Sequence, residues 1–301
     1  MTELIHKIQE LKKQKNATIL AHYYQKEEIQ DIADFVGDSL EMARKAKQLS
    51  IDTIVICGVS FMAETAQILC PDKNILLPVK NAGCSLAQFA SPEKIATLRA
   101  KYPEAAFVCY VNSSAEVKAL CDICCTSANA VKVVRSLPQK QIVMLPDGNL
   151  ASWVQSKVPE KEIIGFAGHC PSHNRVSAND VTGMKTRHPE ALLLAHPEVK
   201  KEVWELADFV GSTSAIIKYV EASVGKEFII ATEVGILHEL RQRFPQKAFY
   251  LLTPDLICLT MKMIELEDLY KALLNNEHTV KLDEDLLKKA YVPLKRMFDL
   301  N

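Results

Sequence analysis

Ala33-Asp-Phe-Val-Gly37 recurs unchanged as Ala207-Asp-Phe-Val-Gly211. The offset, 207 − 33 = 174, halves to 87 and points to a middle copy. Pro71, Pro159 and Pro245 are 88 and then 86 residues apart, and Lys73, Lys161 and Lys247 keep the same two spacings. Lys101-Tyr-Pro-Glu-Ala105 is answered 86 residues later by Arg187-His-Pro-Glu-Ala191. The chain therefore reads as three copies of a unit of about 87 residues, each too small to bury a large core alone.

Aligned on one another, the copies share an order of elements. Each opens with a short apolar run, Ala17–His22, Ala106–Val111 and Ala191–His196, without strict alternation, as expected of strands buried on both faces. Amphipathic helices are expected next, over Glu27–Phe35 and Lys200–Phe209. A second helix follows a hydroxyl-bearing turn at Ser39, Ser127 and Thr213. Further strands are expected at Thr53–Cys57, Gln141–Leu145 and Glu227–Ala231, then a helix, then strands at Asn74–Val79, Glu162–Phe166 and Ala248–Leu252. Strands alternating with helices imply an α/β fold of three pseudo-threefold-related αβα domains, with small parallel sheets around a central cavity. The expected domains are residues 1–83 plus 266–301, residues 84–169, and residues 170–265. The N-terminal helix and the tail from Leu266 to Phe298 are expected to pack together on the first copy.

Bulk properties exclude several classes. The 301 residues are 48% hydrophobic and 24% charged, ordinary for a globular protein, and a net charge of -1 gives no footprint for nucleic acid or an acidic membrane surface. The opening MTELIHKIQELKKQKN lacks the apolar core of a secretory signal, and no stretch reaches membrane-spanning length, so a cytoplasmic protein is expected. In that reducing compartment the nine cysteines are core thiols, metal ligands or reactive groups rather than disulfides.

The repeat selects three of them. Cys84, Cys170 and Cys258 each follow the last strand of their copy, 86 and 88 residues apart. Equivalent loops around a pseudo-threefold axis would bring three thiolates to one point. A 4Fe–4S cubane held by three cysteines leaves one iron open as a Lewis acid for dehydration chemistry; zinc with a fourth ligand is the alternative, and His22, His169, His173 and His196 lie near enough in register to supply one. The first strands end in His22-Tyr-Tyr24, Tyr110-Val-Asn112 and His196-Pro-Glu198, and Ser39, Ser127 and Thr213 each come 17 residues after the first residue of these. Three hydroxyls at one register, each where a helix should begin, suit anion binding better than capping alone. Cys57 and Cys109 read as buried small hydrophobes and Cys70 ends a helix, while Cys121, Cys124 and Cys125 fall on a helix-to-turn segment where Cys121 and Cys125 could form a redox pair.

The strings LAHYYQ, DIADFVGDS, YVNSSAEVKA, CTSANA, GHCPSH, HPE, ADFVGST and TEVG together resemble the quinolinate synthase family, over about residues 16–264. The resemblance implies condensation of iminoaspartate with dihydroxyacetone phosphate to quinolinate, with loss of phosphate and water, in NAD biosynthesis. It implies one 4Fe–4S cluster on Cys84, Cys170 and Cys258, with the fourth iron open to substrate. Substrate-binding positions carried over are His22, Ser39, Tyr110, Val111, Asn112, Ser127, His173, His196, Pro197, Glu198, Ser212 and Thr213. The catalytic set is Tyr24, the family's mobile tyrosine by register from His22, with Tyr110, His196 and Glu198. Glu198 is the expected general base and His196 its acid–base partner. Iminoaspartate is unstable, so L-aspartate oxidase or aspartate dehydrogenase is the expected supplier; neither nucleic acid nor membrane is an expected partner. Two departures stand out: Cys258 is the last cysteine, so the C-terminal CxxCxxC of some members is missing, and the family's HNYQ-like opening is HYYQ here. Rival readings are another hydro-lyase with the same cluster, an iron or redox sensor, and a zinc-binding structural protein.

Overall fold

A computed structural model of the chain describes residues 2–300. The first unit runs α1 (Thr2–Gln14), β1 (Ala17–His22), α2 (Glu27–Ile32), β2 (Phe35–Gly37), α3 (Ser39–Gln48), β3 (Thr53–Cys57), α4 (Ser60–Leu69) and β4 (Asn74–Leu76). The second runs α5 (Pro92–Lys101), β5 (Ala106–Tyr110), α6 (Ala115–Ala119), β6 (Ile123–Cys125), α7 (Ala130–Ser136), β7 (Gln141–Leu145), α8 (Gly148–Lys157) and β8 (Glu162–Gly165). The third adds α9 (Pro171–Asn174), then α10 (Ala178–Arg187), β9 (Leu192–Ala195), α11 (Lys201–Trp204), β10 (Phe209–Val210), α12 (Thr213–Ala222), β11 (Glu227–Ala231), α13 (Ile236–Arg243) and β12 (Ala248–Leu251). Helices α14 (Leu266–Asn275) and α15 (Glu284–Asp299) complete the chain.

Each unit forms one four-stranded, all-parallel sheet, in the orders β2-β1-β3-β4, β6-β5-β7-β8 and β10-β9-β11-β12. The α/β class with three αβα units thus holds. The expected helices over Glu27–Phe35 and Lys200–Phe209 do not run that far: they stop at Ile32 and Trp204, and Phe35–Gly37 and Phe209–Val210 are edge strands. A strand of two or three residues is too short to show a period of its own, so the helical pattern before it hid it.

The aspartate of the repeated pentapeptide explains the switch. Asp34 donates its N–H to the Ile19 carbonyl and accepts the Ile19 N–H on its carboxylate at 2.8 Å; Asp122 does the same with Phe107 and Asp208 with Leu193, each at 2.7 Å. Both bonds pull the chain out of the helix and lay it beside the first strand. The glycine has a packing reason. A Cβ on Gly37 would lie 2.6 Å from the Phe35 ring, and one on Gly211 2.7 Å from the Phe209 ring. In the second unit Ile123 replaces the aromatic ring, and Cys125 can stand where the others need glycine. The repeated lysines act alike as well: Lys73, Lys161 and Lys247 each reach back to main-chain carbonyls just beyond α3, α7 and α12, including Ile51, Gln139 and Ser223 at 2.9, 2.9 and 2.7 Å. They satisfy acceptors that a helix end leaves free.

Helix α1 packs on α14, and the two cover one face of the first sheet, where Ile8, Leu11, Leu269 and Leu273 meet Ile19 and Val55. The expected joint packing of the N-terminal helix with the tail holds for α14. Helix α15 goes elsewhere, over α6 and β6 of the second unit and α4 of the first, burying Ala290, Leu294 and Met297. No helix of the described residues is long and apolar enough to cross a membrane.

Candidate active site

Parallel sheets put their loops at the carboxyl ends of the strands, and the three sheets aim those ends at one cavity of about 190 Å³. His22, Tyr24 and Ser39 reach it from the first unit, Tyr110, Asn112 and Ser127 from the second, and His173, His196, Glu198 and Thr213 from the third. Val111, Pro197 and Ser212 do not line it: Val111 bonds the Cys125 carbonyl, and Ser212 caps α12. His169 packs at a tilt against Phe89 instead, and Tyr23 is not in the lining, so the second tyrosine of HYYQ is the one facing the cavity.

Neighbouring residues do the capping at α3 and α12. Asp38 caps α3 and Ser212 caps α12, while Ser39 and Thr213 occupy the first helical positions. Ser127 sits three residues ahead of α7, not at its start, and the turn there is held by the Thr126 N–H on Asn129 Oδ1 at 2.7 Å.

His22 and His196 are related by the 174-residue offset and are held alike. The Tyr24 N–H donates to His22 Nδ1 at 3.1 Å, and the Glu198 N–H to His196 Nδ1 at 3.3 Å. Burial drives both imidazoles down to about 4, so both are neutral at physiological pH. With Nδ1 accepting, each carries its proton on Nε2, and His196 Nε2 lies 3.1 Å from Ser127 Oγ. Two neutral N–H donors therefore sit at corresponding corners of the cavity. Burial pushes Tyr24 and Tyr110 far up, with Glu198 adding to both, so both stay phenols. Glu198 is held below the usual carboxylate range. Burial opposes its charge, but His196, His173 and the Tyr110 hydroxyl outweigh it; Tyr110 donates at 2.7 Å and His173 Nδ1 lies at 2.8 Å.

Cys84, Cys170 and Cys258 all line the cavity and are the three partly exposed members of the nine unpaired cysteines. Burial raises each thiol, Cys84 to about 12, while a main-chain N–H from three residues on (Ala87, His173 and Met261) works the other way. Three soft donors, pre-armed with N–H groups yet costly to ionise alone, become thiolates when a metal supplies the positive charge. The set fits an iron–sulfur cluster held at three corners. Cys170, His173 and Glu198 also offer ligand atoms within 4.8 Å of one another, enough for a single ion, though His173 Nδ1 is already bonded to Glu198.

Several functional neighbours escaped the sequence reading. Asp147 caps α8 through the Leu150 N–H at 2.8 Å; Glu233 accepts the Cys258 N–H at 3.1 Å and pairs with Lys262 at 3.0 Å. Each carboxylate stands two residues beyond its third strand, and 233 − 147 = 86 is the repeat spacing, a signal that could have found them. The equivalent in the first unit is Val59, 88 residues before Asp147, so that unit has no carboxylate there. Thr232 bridges Tyr24 and His173, and Arg175, exposed at the mouth, is the one permanently cationic side chain of the lining. The expected Cys121–Cys125 pair does not arise from a helix. Cys124 and Cys125 lie in β6, on opposite faces by strand alternation, and Cys124 is opposite Cys109 in the ladder.

A family model described as quinolinate synthetase A protein matches residues 6–299. Proteins named quinolinate synthase are similar along nearly their full lengths. That of Clostridium kluyveri is 50% identical over 297 residues, covering 99% of this chain and 98% of the relative. That of Thermodesulfovibrio yellowstonii is 49% identical over 296 residues, 98% of each chain. That of Caldicellulosiruptor saccharolyticus is 50% identical over 294 residues, 98% of this chain and 97% of the relative. A match spanning all three units and every loop of the cavity leaves one conclusion: the chain belongs to the quinolinate synthetase A protein family.

Proposed function

We propose that this chain forms quinolinate from iminoaspartate and dihydroxyacetone phosphate, releasing phosphate and water, with a 4Fe–4S cluster on Cys84, Cys170 and Cys258. The observation that carries the reading is the convergence of one cysteine from each unit on a cavity of neutral N–H and O–H donors. When bound, the cluster would supply a Lewis-acidic iron for a substrate oxygen.

The side chains divide the remaining work by their protonation. His22 and His196 offer Nε2–H, and Ser39, Ser127, Thr213 and Asn112 offer hydroxyl or amide groups, so two carboxylates can be bound without a strong positive field. Glu198 begins ionised and is the proton acceptor; Tyr24 and Tyr110 begin protonated and are the donors, an assignment that follows from their environments. Arg175 at the mouth meets the phosphate, the one dianionic group that must leave. The enclosed cavity limits hydrolysis of the reactive imine. Supply of iminoaspartate by an aspartate-oxidising enzyme, and work in the cytoplasm, belong to the same proposal.

The test is anaerobic purification, iron, sulfide and zinc analysis, and an assay of quinolinate. About four irons and four sulfides per chain, lost with Cys84→Ala, Cys170→Ala or Cys258→Ala, together with quinolinate formation, would support the reading. Zinc without sulfide would instead favour an ion at Cys170, His173 and Glu198 and overturn it.

A further inference from the structure

Tyr24, Asn112 and Glu198 face the cavity from the loops after the three first strands, at one register, 88 and then 86 residues apart. Tyr24 and Glu198 have side-chain partners, Tyr24 on Thr213 at 2.9 Å and Glu198 on Tyr110 at 2.7 Å. Asn112 differs. Its buried Oδ1 has no partner among the described residues, so the place of its amide is set by the backbone that carries it.

That backbone is tied on both sides. Before Asn112, the Val111 N–H donates to the Cys125 carbonyl at 2.9 Å. After it, the Ser113 carbonyl accepts from Lys118 Nζ on α6, and the Ala115 N–H donates to Glu64 Oε2 of the first unit at 2.8 Å. Lys118 is fully buried, and its Nζ stands 5.5 Å from the centroid of Phe61, a ring of the cavity wall. Methionine would fill this space without burying a polar head, and a lysine goes fully inside only where its head has a partner.

The repeat shows what the head is for. Gln30 stands 88 residues before Lys118, and its Nε2 holds the Gln25 carbonyl at 3.0 Å; Gln25 is itself 88 residues before Ser113. One helix position therefore grips the same loop carbonyl, just past the cavity-facing side chain, with an amide in the first unit and an amine in the second. In the third unit the position is Trp204, whose Nε1 has no partner among the described residues. There Asn149 Nδ2 takes over, on the Glu198 carbonyl at 2.9 Å.

We propose that Lys118 is a positioning residue for Asn112: by holding the Ser113 carbonyl it sets the Asn112 amide to receive a substrate carboxylate. The inference deepens the reading of the site as quinolinate-forming and rests on it for its kinetic test only.

The experiment compares Lys118→Met, which keeps the buried stem and removes the donor, with Lys118→Gln, which installs the donor the first unit uses at this position. In the cluster-loaded enzyme, Lys118→Met should raise KM for iminoaspartate by about 30-fold with kcat within about threefold, and leave iron and sulfide content unchanged. Lys118→Gln should recover most of the loss. The Lys118→Met/Asn112→Ala double variant should have the KM of Asn112→Ala alone, because Lys118 acts through Asn112. Independently of turnover, amide hydrogen exchange in the metal-free full chain should quicken by about tenfold over residues 111–117 in Lys118→Met and return towards wild type in Lys118→Gln. An unchanged KM in Lys118→Met, a loss confined to kcat, no rescue by glutamine, losses that multiply with Asn112→Ala, or unchanged exchange would each overturn the role. A wild type that makes no quinolinate sinks the reading of the reaction instead, and the exchange still decides whether Lys118 holds the loop.

Discussion

Replacing Gly235 by alanine tests how tightly the third unit positions the tyrosine supplied by the first. Gly235 has ordinary helical angles (φ -60, ψ -24), so alanine brings no backbone strain there. Its new Cβ, however, would lie 2.6 Å from the Tyr23 carbonyl oxygen and 2.8 Å from Tyr24 Cα. Comfortable separation is about 3.5 Å, so the loop must retreat by up to about 0.9 Å. It is not free to do so. Gln30 Nε2 ties the Tyr23, Gln25 and Gly235 carbonyls together at 3.1, 3.0 and 3.0 Å, and Lys262 holds the Tyr24 carbonyl at 2.5 Å. Overpacking of this kind costs about 2 kcal/mol, which in a chain of this size lowers Tm by about 3 °C. A displacement near 1 Å at Tyr24 should lower turnover by about 100-fold. Thermal unfolding of the metal-free chain and quinolinate formation by the loaded enzyme read the two effects. Gly183→Ala is the control, since nothing lies within 4 Å of its Cβ, and in mid-helix it should stabilise by about 0.5–1 kcal/mol. If Gly235→Ala melts and turns over like wild type, the close packing of these loops does not position Tyr24.

Glu198→Gln should retain iron and sulfide yet lose about 100-fold or more in kcat; unchanged turnover would remove Glu198 from proton transfer. Lys262→Met leaves the fully buried Glu233 without its cation and should destabilise the metal-free chain by about 3–5 kcal/mol in denaturant melts. Adding Glu233→Gln should restore most of that, and a double variant no better than the single would show the pair is not coupled. Acid should unfold the protein partly through His22 and His196. Their folded values near 4 lie below the unfolded 6.5, so the unfolded chain binds more protons between these limits and stability falls as pH drops through that window. Each histidine contributes up to about 3 kcal/mol, and a His22→Gln/His196→Gln chain with an unaltered stability profile between pH 7 and 4 would contradict this.

Much of this architecture was legible because the repeat is written in residues whose work is local. The pentapeptide aspartate and the lysine behind each second helix keep one spacing because each bonds within its own unit. The strand boundaries of Thr53–Cys57, Gln141–Leu145 and Glu227–Ala231 were readable as apolar runs framed by polar residues. What could not be read were contacts between units. Thr232 looks like any strand-end threonine until Tyr24 and His173 arrive from distant parts of the chain. Ser39 and Thr213 were expected where helices begin and stand there, but a sequence does not say which of two adjacent polar residues turns back on the helix; Asp38 and Ser212 do. Asp147 and Glu233 were findable from their 86-residue offset, but differ in residue type and so escaped a search for identical letters.

The path of α15 makes the three junctions between units mechanically unequal. A closed circle of three like pieces has three seams, and this helix is a clasp across one of them. It presses Ala290, Leu294 and Met297 onto the first and second units, while Arg296 holds the Asp122 carbonyl at 2.7 Å. Parting that seam would wet apolar surface at about 25 cal/mol per Å². The seam between the first and third units is sewn with polar stitches, such as Ser214 to Asp38 at 2.6 Å and His238 to Asp31 at 2.7 Å, which water can replace at little net cost. The clasped pair is thus joined by a helix that neither unit's sheet contains, whereas the third unit, with Glu198, Thr213 and Cys258, meets the first directly through its own loops and helices.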